Sequence, residues 1–331
     1  METKEKKHKG ISYARYGYIF SIPFVITFLI CTFYPVIYTA YIGFTNLKGL
    51  GSTNFSLATP FFKNFQTVLS NRSFQTALKN TFMMWIINFI PQLTLALVLA
   101  AWFTNDQNKI KGKGFFKVVF YMPNIITAAT IAILFASLFA YPVGPVNYFL
   151  ESLGYPKFDF PQSKLAARLL VAFIQFWMWY GYTMIVLTSG ILGISPDIFE
   201  AAEIDGANGT QKFFKITLPN LKTIMLFTLV TSLIGGLQMY DIPSLLMQNS
   251  GPDNATLTTS VFIYNQAFKG SYMFNRAAAA SMIMFVIIGI LSAIMFAIMS
   301  DKDEAALYKA EKKRIKEYKK QQKLAKQGGQ N

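Results

Sequence analysis

The sequence predicts an all-α, polytopic membrane protein with six transmembrane helices, and three observations carry that prediction. The 331 residues are 53% apolar and only 14% charged, whereas soluble proteins average about 25% charged. Six segments of twenty or more residues are almost free of charge, long enough at 1.5 Å per residue to cross a hydrocarbon core of about 30 Å. The basic residues behind the net charge of +15 gather in the segments that flank those spans, where they set orientation and call for no nucleic acid.

The spans run from Tyr18 to Phe44, Ala77 to Phe103, Phe115 to Ala140, Leu165 to Leu192, Leu221 to Met247 and Ala277 to Met299. The first is too long for a signal-peptide core and lacks a small-x-small cleavage site, so it reads as a retained span. Six spans put both termini on one side. The flanks on that side hold 22 of the 31 lysines and arginines, which predicts cytoplasmic termini, the five basic residues ahead of the first span weighing most. Residues 1–17 then form a cytoplasmic tail, 18–299 the transmembrane domain and 300–331 a basic cytoplasmic tail. That last tail reads as a solvated segment attracted to anionic lipid, weakly helical through Leu307, Ile315, Tyr318 and Leu324.

Several chemistries are excluded. One cysteine, Cys31 within a span, and one histidine, His8 in the tail, leave no disulfide framework, zinc site or Cys/His catalysis. No phosphate-cradling G-x-x-x-x-G-K-[ST] loop, H-E-x-x-H or G-x-S-x-G is present, so ATP and magnesium, if used, belong to another chain. The expectation is that this chain itself binds no cofactor or metal. Among sixteen acidic residues only Asp241 lies well inside a predicted span, too few carboxylates for a proton relay.

The most unusual segment is the loop 193–219. Ser195 is a natural N-cap, Pro196 suits the first helical position and Asp197 meets the positive end of the helix dipole. Gly206 supplies a left-handed stop, Thr210 caps a second short helix and Leu218-Pro219 breaks it before the fifth span. The result is an elbow carrying Asp197, Glu200, Glu203 and Asp205, with Ala201, Ala202 and Ala207 small enough to let a partner approach. Two helices lying against the headgroups are the competing reading, although acid suits an anionic leaflet poorly.

Glu200-Ala201-Ala202, Asp205-Gly206-Ala207, Ile216 and Leu218-Pro219 together resemble the coupling-loop signature of permease subunits of binding-protein-dependent ABC importers. The resemblance extends from the first span to Met299 and is nearest to compact maltose and maltodextrin-type sugar permeases. Gln238 to Asp241, Asn249-Ser250-Gly251-Pro252 and Thr256 to Thr259 resemble that branch's fifth span and outer turn, with Ser250 in place of a usual glycine. The resemblance implies type I importer architecture in a bacterial cytoplasmic membrane, and a coupling loop seated in an ATPase groove through Glu200, Ala201, Ala202, Asp205, Gly206 and Ala207. It also implies a second permease, two ATPase subunits and an extracytoplasmic sugar-binding protein as partners.

A sugar site needs aromatic platforms beside neutral or acidic hydrogen-bonding groups. On the fourth span Gln175, Met178, Trp179 and Tyr182 share one helical face, and the resemblance aligns them, with Ser232, Gly235 and Gly236, to substrate-contacting positions. Trp177 points elsewhere. An interfacial aromatic belt near Lys164 and Arg168 competes with this assignment. Gln238, Tyr240 and Asp241 complete the expected pathway, Asp241 because an intramembrane carboxylate needs water or a partner; a hydrogen bond to a neighbouring helix is its competing role. An ion-coupled secondary transporter is the alternative function, but it would require coupling carboxylates and inverted repeats. An integral membrane enzyme would require catalytic acids or bases that the sequence lacks.

Overall fold

The computed structural model describes residues 14–52, 55–105, 110–247, 250–270, 272–299 and 310–318. The rest of both predicted tails, His8 and Asn249 lie outside the described residues. In chain order the helices are α1 (Ala14–Phe28), α2 (Tyr34–Gly43), α3 (Lys63–Leu69), α4 (Arg72–Thr104), α5 (Lys113–Ile125), α6 (Ala128–Leu138), α7 (Pro145–Ser152) and α8 (Lys164–Leu192). There follow α9 (Pro196–Ile204), α10 (Gly209–Lys212), α11 (Leu218–Asn220), α12 (Lys222–Leu237), α13 (Asp241–Leu246), α14 (Thr259–Phe268) and α15 (Phe274–Met299). Residues 310–318, in the basic tail, form an exposed helix. Among the described residues the only β pairing is the isolated Thr45–Leu57 bridge.

Five helical stretches are long and apolar enough to span a membrane: Tyr16–Gly43, Arg72–Thr104, Lys164–Leu192, Lys222–Leu246 and Phe274–Met299. The predicted third span, Phe115 to Ala140, is not a single rod. Its halves α5 and α6 meet at 90°, and six crossings result only if this bent pair counts as one. The bend follows Pro123, where Ile126 turns extended and the Thr127 hydroxyl accepts the Thr130 N–H to start a new helix. The fifth span is also interrupted, between α12 and α13.

The chain forms two compact units. One comprises the residues up to Asn71 together with Ile263–Ile283. Here α1 runs into α2 through a widened π turn, Leu29–Phe33. That turn lies just ahead of Pro35, which has no N–H to offer the Cys31 carbonyl. The buried Asn64 amide donates to the Gly43 and Thr45 carbonyls at 2.9 and 2.7 Å and accepts from Asn275 Nδ2 at 3.0 Å. One side chain thus closes the carbonyl end of α2, whose last turn has no intrahelical donors left.

The other unit holds Arg72–Phe262 and the chain from Met284 onward. Its most extensive packing is α4 against α8. One apolar core gathers Met84, Ile131, Phe135, Ile174, Met178 and Ile242, and a second gathers Phe103, Tyr180, Met184, Leu187 and Leu221. Gly181 lets α5 come close: a Cβ there would lie 2.0 Å from the Phe120 carbonyl oxygen.

At the N-terminal end of α8 this unit carries irregular backbone, with Ser250, Gly251, Asp253 and Asn254 all at positive φ. Asn80 donates to the Asn254 and Leu257 carbonyls at 2.8 and 3.1 Å, while Arg168 bonds the Ala255 carbonyl at 2.9 Å and Asn80 Oδ1 at 3.0 Å. The Lys164 ammonium pairs with Asp253 and holds its carboxyl below the usual carboxylate range. Asn80→Leu, which strands the Arg168 donor and two carbonyls at once, is therefore expected to destabilise the purified protein by about 2 to 4 kcal/mol. Thermal unfolding in detergent should show the loss, and an unchanged melting temperature would contradict the clamp.

Candidate functional site

The elbow forms as a turn between two short helices, with local differences from the sequence reading. Pro196 opens α9 with Asp197 in its first turn, but the Ser195 hydroxyl bonds Asp197 Oδ2 at 3.3 Å and caps no backbone N–H. Gly206 turns the chain at φ +75° with open space around it, and Ala207 N–H returns to the Ala202 carbonyl, the left-handed stop that a glycine favours. The second helix is capped by Asn208, not Thr210: Asn208 and Gln211 exchange side-chain to backbone bonds at 2.9 Å in a capping box. Leu218-Pro219 does not end it either. The backbone widens into a π turn at Phe213–Thr217 and stays helical through α11, because the wider turn absorbs the missing Pro219 N–H as it does before Pro35.

Glu200, Ala201, Asp205 and Gly206 are exposed on the elbow, Ala207 is half-buried and Ala202 is buried, so Ala202 offers no surface. Glu203 pairs with Lys212 across the turn. Beside this acidic group stands Ile204, 88% exposed.

A cavity of about 270 Å³ lies in the second unit between α4, α8 and α12. The face of α8 that lines it comprises Gln175, Trp179, Tyr182, Thr183 and Val186. The Trp179 and Tyr182 rings stand perpendicular, 6.0 Å apart. From α12 come Phe227, Thr228, Thr231, Ser232, Gly235 and Gly236, followed by Met239, and α4 contributes Asn88 and Gln92. Gln92 Nε2 donates to Thr183 Oγ1 at 2.8 Å, tying α4 to α8 at the wall. Trp85 Nε1 donates to Ser232 Oγ at 3.3 Å.

Six of the ten residues expected on the pathway therefore share one cavity: Gln175, Trp179, Tyr182, Ser232, Gly235 and Gly236. Four lie outside its lining. Met178 is buried in the apolar core, since at roughly 100° per residue it falls about 60° to one side of Gln175, whereas Trp179 and Val186 fall to the other. Gln238, Tyr240 and Asp241 sit where α12 has ended, and Asp241 is exposed in the first turn of α13. Asp241 is thus at a break, not within a continuous span. Trp177 packs against Phe135 at 5.7 Å between the two cores.

The α4 contribution was missed from sequence, although a signal exists. Asn80, Thr81, Asn88 and Gln92 recur at helical spacing in an apolar span, and polar groups there face the protein interior. The two glycines of α12 also separate: a Cβ on Gly235 meets nothing within 4 Å, whereas one on Gly236 would lie 2.0 Å from Trp85 Cδ1. Gly236→Ala should lower the melting temperature of the detergent-purified protein by the equivalent of about 1 to 3 kcal/mol, and Gly235→Ala should leave it within experimental scatter. Equal effects would contradict the Trp85 contact.

Residues 65–302 match the family model described as binding-protein-dependent transport system inner membrane component. The chain is 29% identical to the lactose transport system permease protein LacF of Rhizobium radiobacter, over 85% of its own length and 92% of the relative's. It is 29% identical to the arabinooligosaccharides transport system permease protein AraP of Bacillus subtilis, over 84% and 86%. With the sn-glycerol-3-phosphate transport system permease protein UgpA of Agrobacterium fabrum it shares 30% over 84% and 92%. Its fold superposes on a chain of a bacterial alginate ABC transporter in complex with an alginate pentasaccharide-bound periplasmic protein, with a TM-score of 0.73 at 24% identity, covering 88% and 96% of the two chains. The chain belongs to the inner-membrane components of binding-protein-dependent transport systems: it is a multi-pass transport subunit and not an enzyme.

Proposed function

We propose that this chain is the permease subunit of an ATP-driven importer that carries a sugar or oligosaccharide across a bacterial cytoplasmic membrane. The observation that carries the reading is the cavity between α4, α8 and α12, where two perpendicular aromatic rings stand among amides and hydroxyls. Aromatic faces suit the apolar side of a sugar ring, and neutral donor-acceptor groups suit its hydroxyls. The relatives named for lactose and arabinooligosaccharides support the same substrate class.

The elbow is the proposed seat of one ATPase, with Glu200, Ala201, Asp205 and Gly206 at the contact and Ala202 and Ala207 shaping the turn beneath. A second permease would complete the pathway, two ATPase chains would supply the ATP and magnesium chemistry, and a binding protein would deliver the sugar from outside. Cytoplasmic termini follow from the charge asymmetry and put the elbow on the ATPase side. The ion-coupled alternative finds no support in the family match.

Deleting the gene should abolish ATP-dependent uptake of one radiolabelled saccharide in a panel, and the wild-type chain should restore it. Among variants, Tyr182→Ala should cut uptake per assembled complex roughly tenfold or reorder sugar preference, because it removes one wall of the aromatic corner. Trp177→Ala, a core truncation, should act through abundance alone. An effect on sugar preference from Trp177→Ala but not from Tyr182→Ala would overturn the assignment of the cavity.

A further inference from the structure

We infer that the saccharide taken by this chain is uncharged, and that Asn88 and Gln92 on α4 are specificity-determining contacts that read its hydroxyls. The inference rests on the saccharide reading above and narrows it. Relatives of this fold are named for an acidic polysaccharide and for a phosphate ester as well as for neutral sugars, so family membership leaves the charge of the cargo open, and this chain's share of the pathway bears on it.

Its fourteen lining residues include no lysine, arginine, histidine, aspartate or glutamate. A carboxylate or phosphate entering beside Trp179, Val186 and Phe227 would lose water and gain no cation from this chain, an unfavourable transfer. The cation that could have served is Arg168, seven residues before Gln175 on the same helix. Its guanidinium instead bonds Asn80 and the Ala255 carbonyl.

The neutral groups are arranged for hydroxyls. Asn88 and Gln92, each 5% exposed, are buried amides that line the space. Asn88 uses one N–H on the Met84 carbonyl and Gln92 one N–H on Thr183. Neither amide oxygen has a protein partner among the described residues, and the Thr183 hydroxyl, having accepted from Gln92, keeps its hydrogen. Two acceptors and a donor therefore remain uncommitted on residues that line the space together with Gln175 and Ser232. A hydroxyl, which both donates and accepts, meets this set without any change of charge.

The test uses the whole importer, reconstituted in proteoliposomes with its ATPase, second permease and binding protein. Maltotriose, raffinose and arabinotriose serve as neutral probes and trigalacturonate as the charged one. ATP-driven import of a neutral probe with no import of trigalacturonate supports the inference. Trigalacturonate import at a rate matching the best neutral probe overturns it and leaves the saccharide reading standing, whereas import of none of the four overturns both. Asn88→Leu and Gln92→Met should each reduce import of the best neutral probe roughly five- to tenfold per assembled complex, as loss of one or two hydrogen bonds does. Gln92→Met also removes the bond to Thr183 and should lower the melting temperature, which is why import is read per assembled complex. Should either variant fail to assemble, Gln92→Asn retains the amide one methylene further back and should reorder preference among the neutral probes. Unaltered rates and an unaltered order overturn the role of the pair.

Discussion

Backbone at membrane depth must satisfy its own N–H and C=O groups, and in the larger unit this constraint falls on side chains of α4 and α8. Around the break that follows α12, polar side chains supply bonds to the irregular backbone. Asn80 and Arg168 meet the carbonyls of residues 254–257, Thr81 accepts the Thr259 N–H at 3.0 Å, Thr258 and Thr259 reach back to the carbonyls of Met239 and Leu237, and Asn124 donates to the Met178 carbonyl. The bonds to Leu237, Met239 and residues 254–259 fall at and beyond the interruption of the fifth predicted span.

The same constraint decides which parts of the fold were legible. Hydropathy and flank charge located the spans because lipid selects for both over twenty residues. Breaks inside a span are short and equally apolar, so the 90° bend after Pro123 and the end of α12 at Leu237 left only a proline, a threonine and two glycines as signals. The elbow was legible at Pro196 and Gly206, where residue type dictates geometry, and misread at Thr210, because Asn208 two residues earlier completes a capping box with Gln211. Within the cavity, Gln175, Trp179 and Tyr182 of the α8 face followed from periodicity, which also placed Met178 there and passed over Thr183 and Val186. The α4 amides did not follow from it, because their role depends on helix pairing that no local pattern encodes.

One helix links the clamp, the cavity and the elbow. The 29 residues of α8 span about 43 Å at 1.5 Å per residue. Its first turns carry Lys164 and Arg168 of the clamp, its middle carries Gln175, Trp179 and Tyr182 of the cavity, and its end leads through Gly193 directly into the elbow. The exposed Glu200, Ile204 and Asp205 lie just beyond this rod, across a break at Ser195-Pro196, and Gly181 against Phe120 fixes α5 to the same helix.

The central claim is that the cavity between α4, α8 and α12 is the passage of the saccharide. Cys31 is the single cysteine of the chain, so a Cys31→Ser background carrying Ser232→Cys places one thiol in the lining, and Ser137→Cys places one on the exposed face of α6 as a control. Alkylation of these thiols is measured in the assembled importer, with and without sugar-loaded binding protein, during turnover arrested by a nonhydrolysable ATP analogue. If the cavity is the passage, bound saccharide slows labelling at position 232 and leaves position 137 unchanged; equal labelling at position 232 in both states would contradict it.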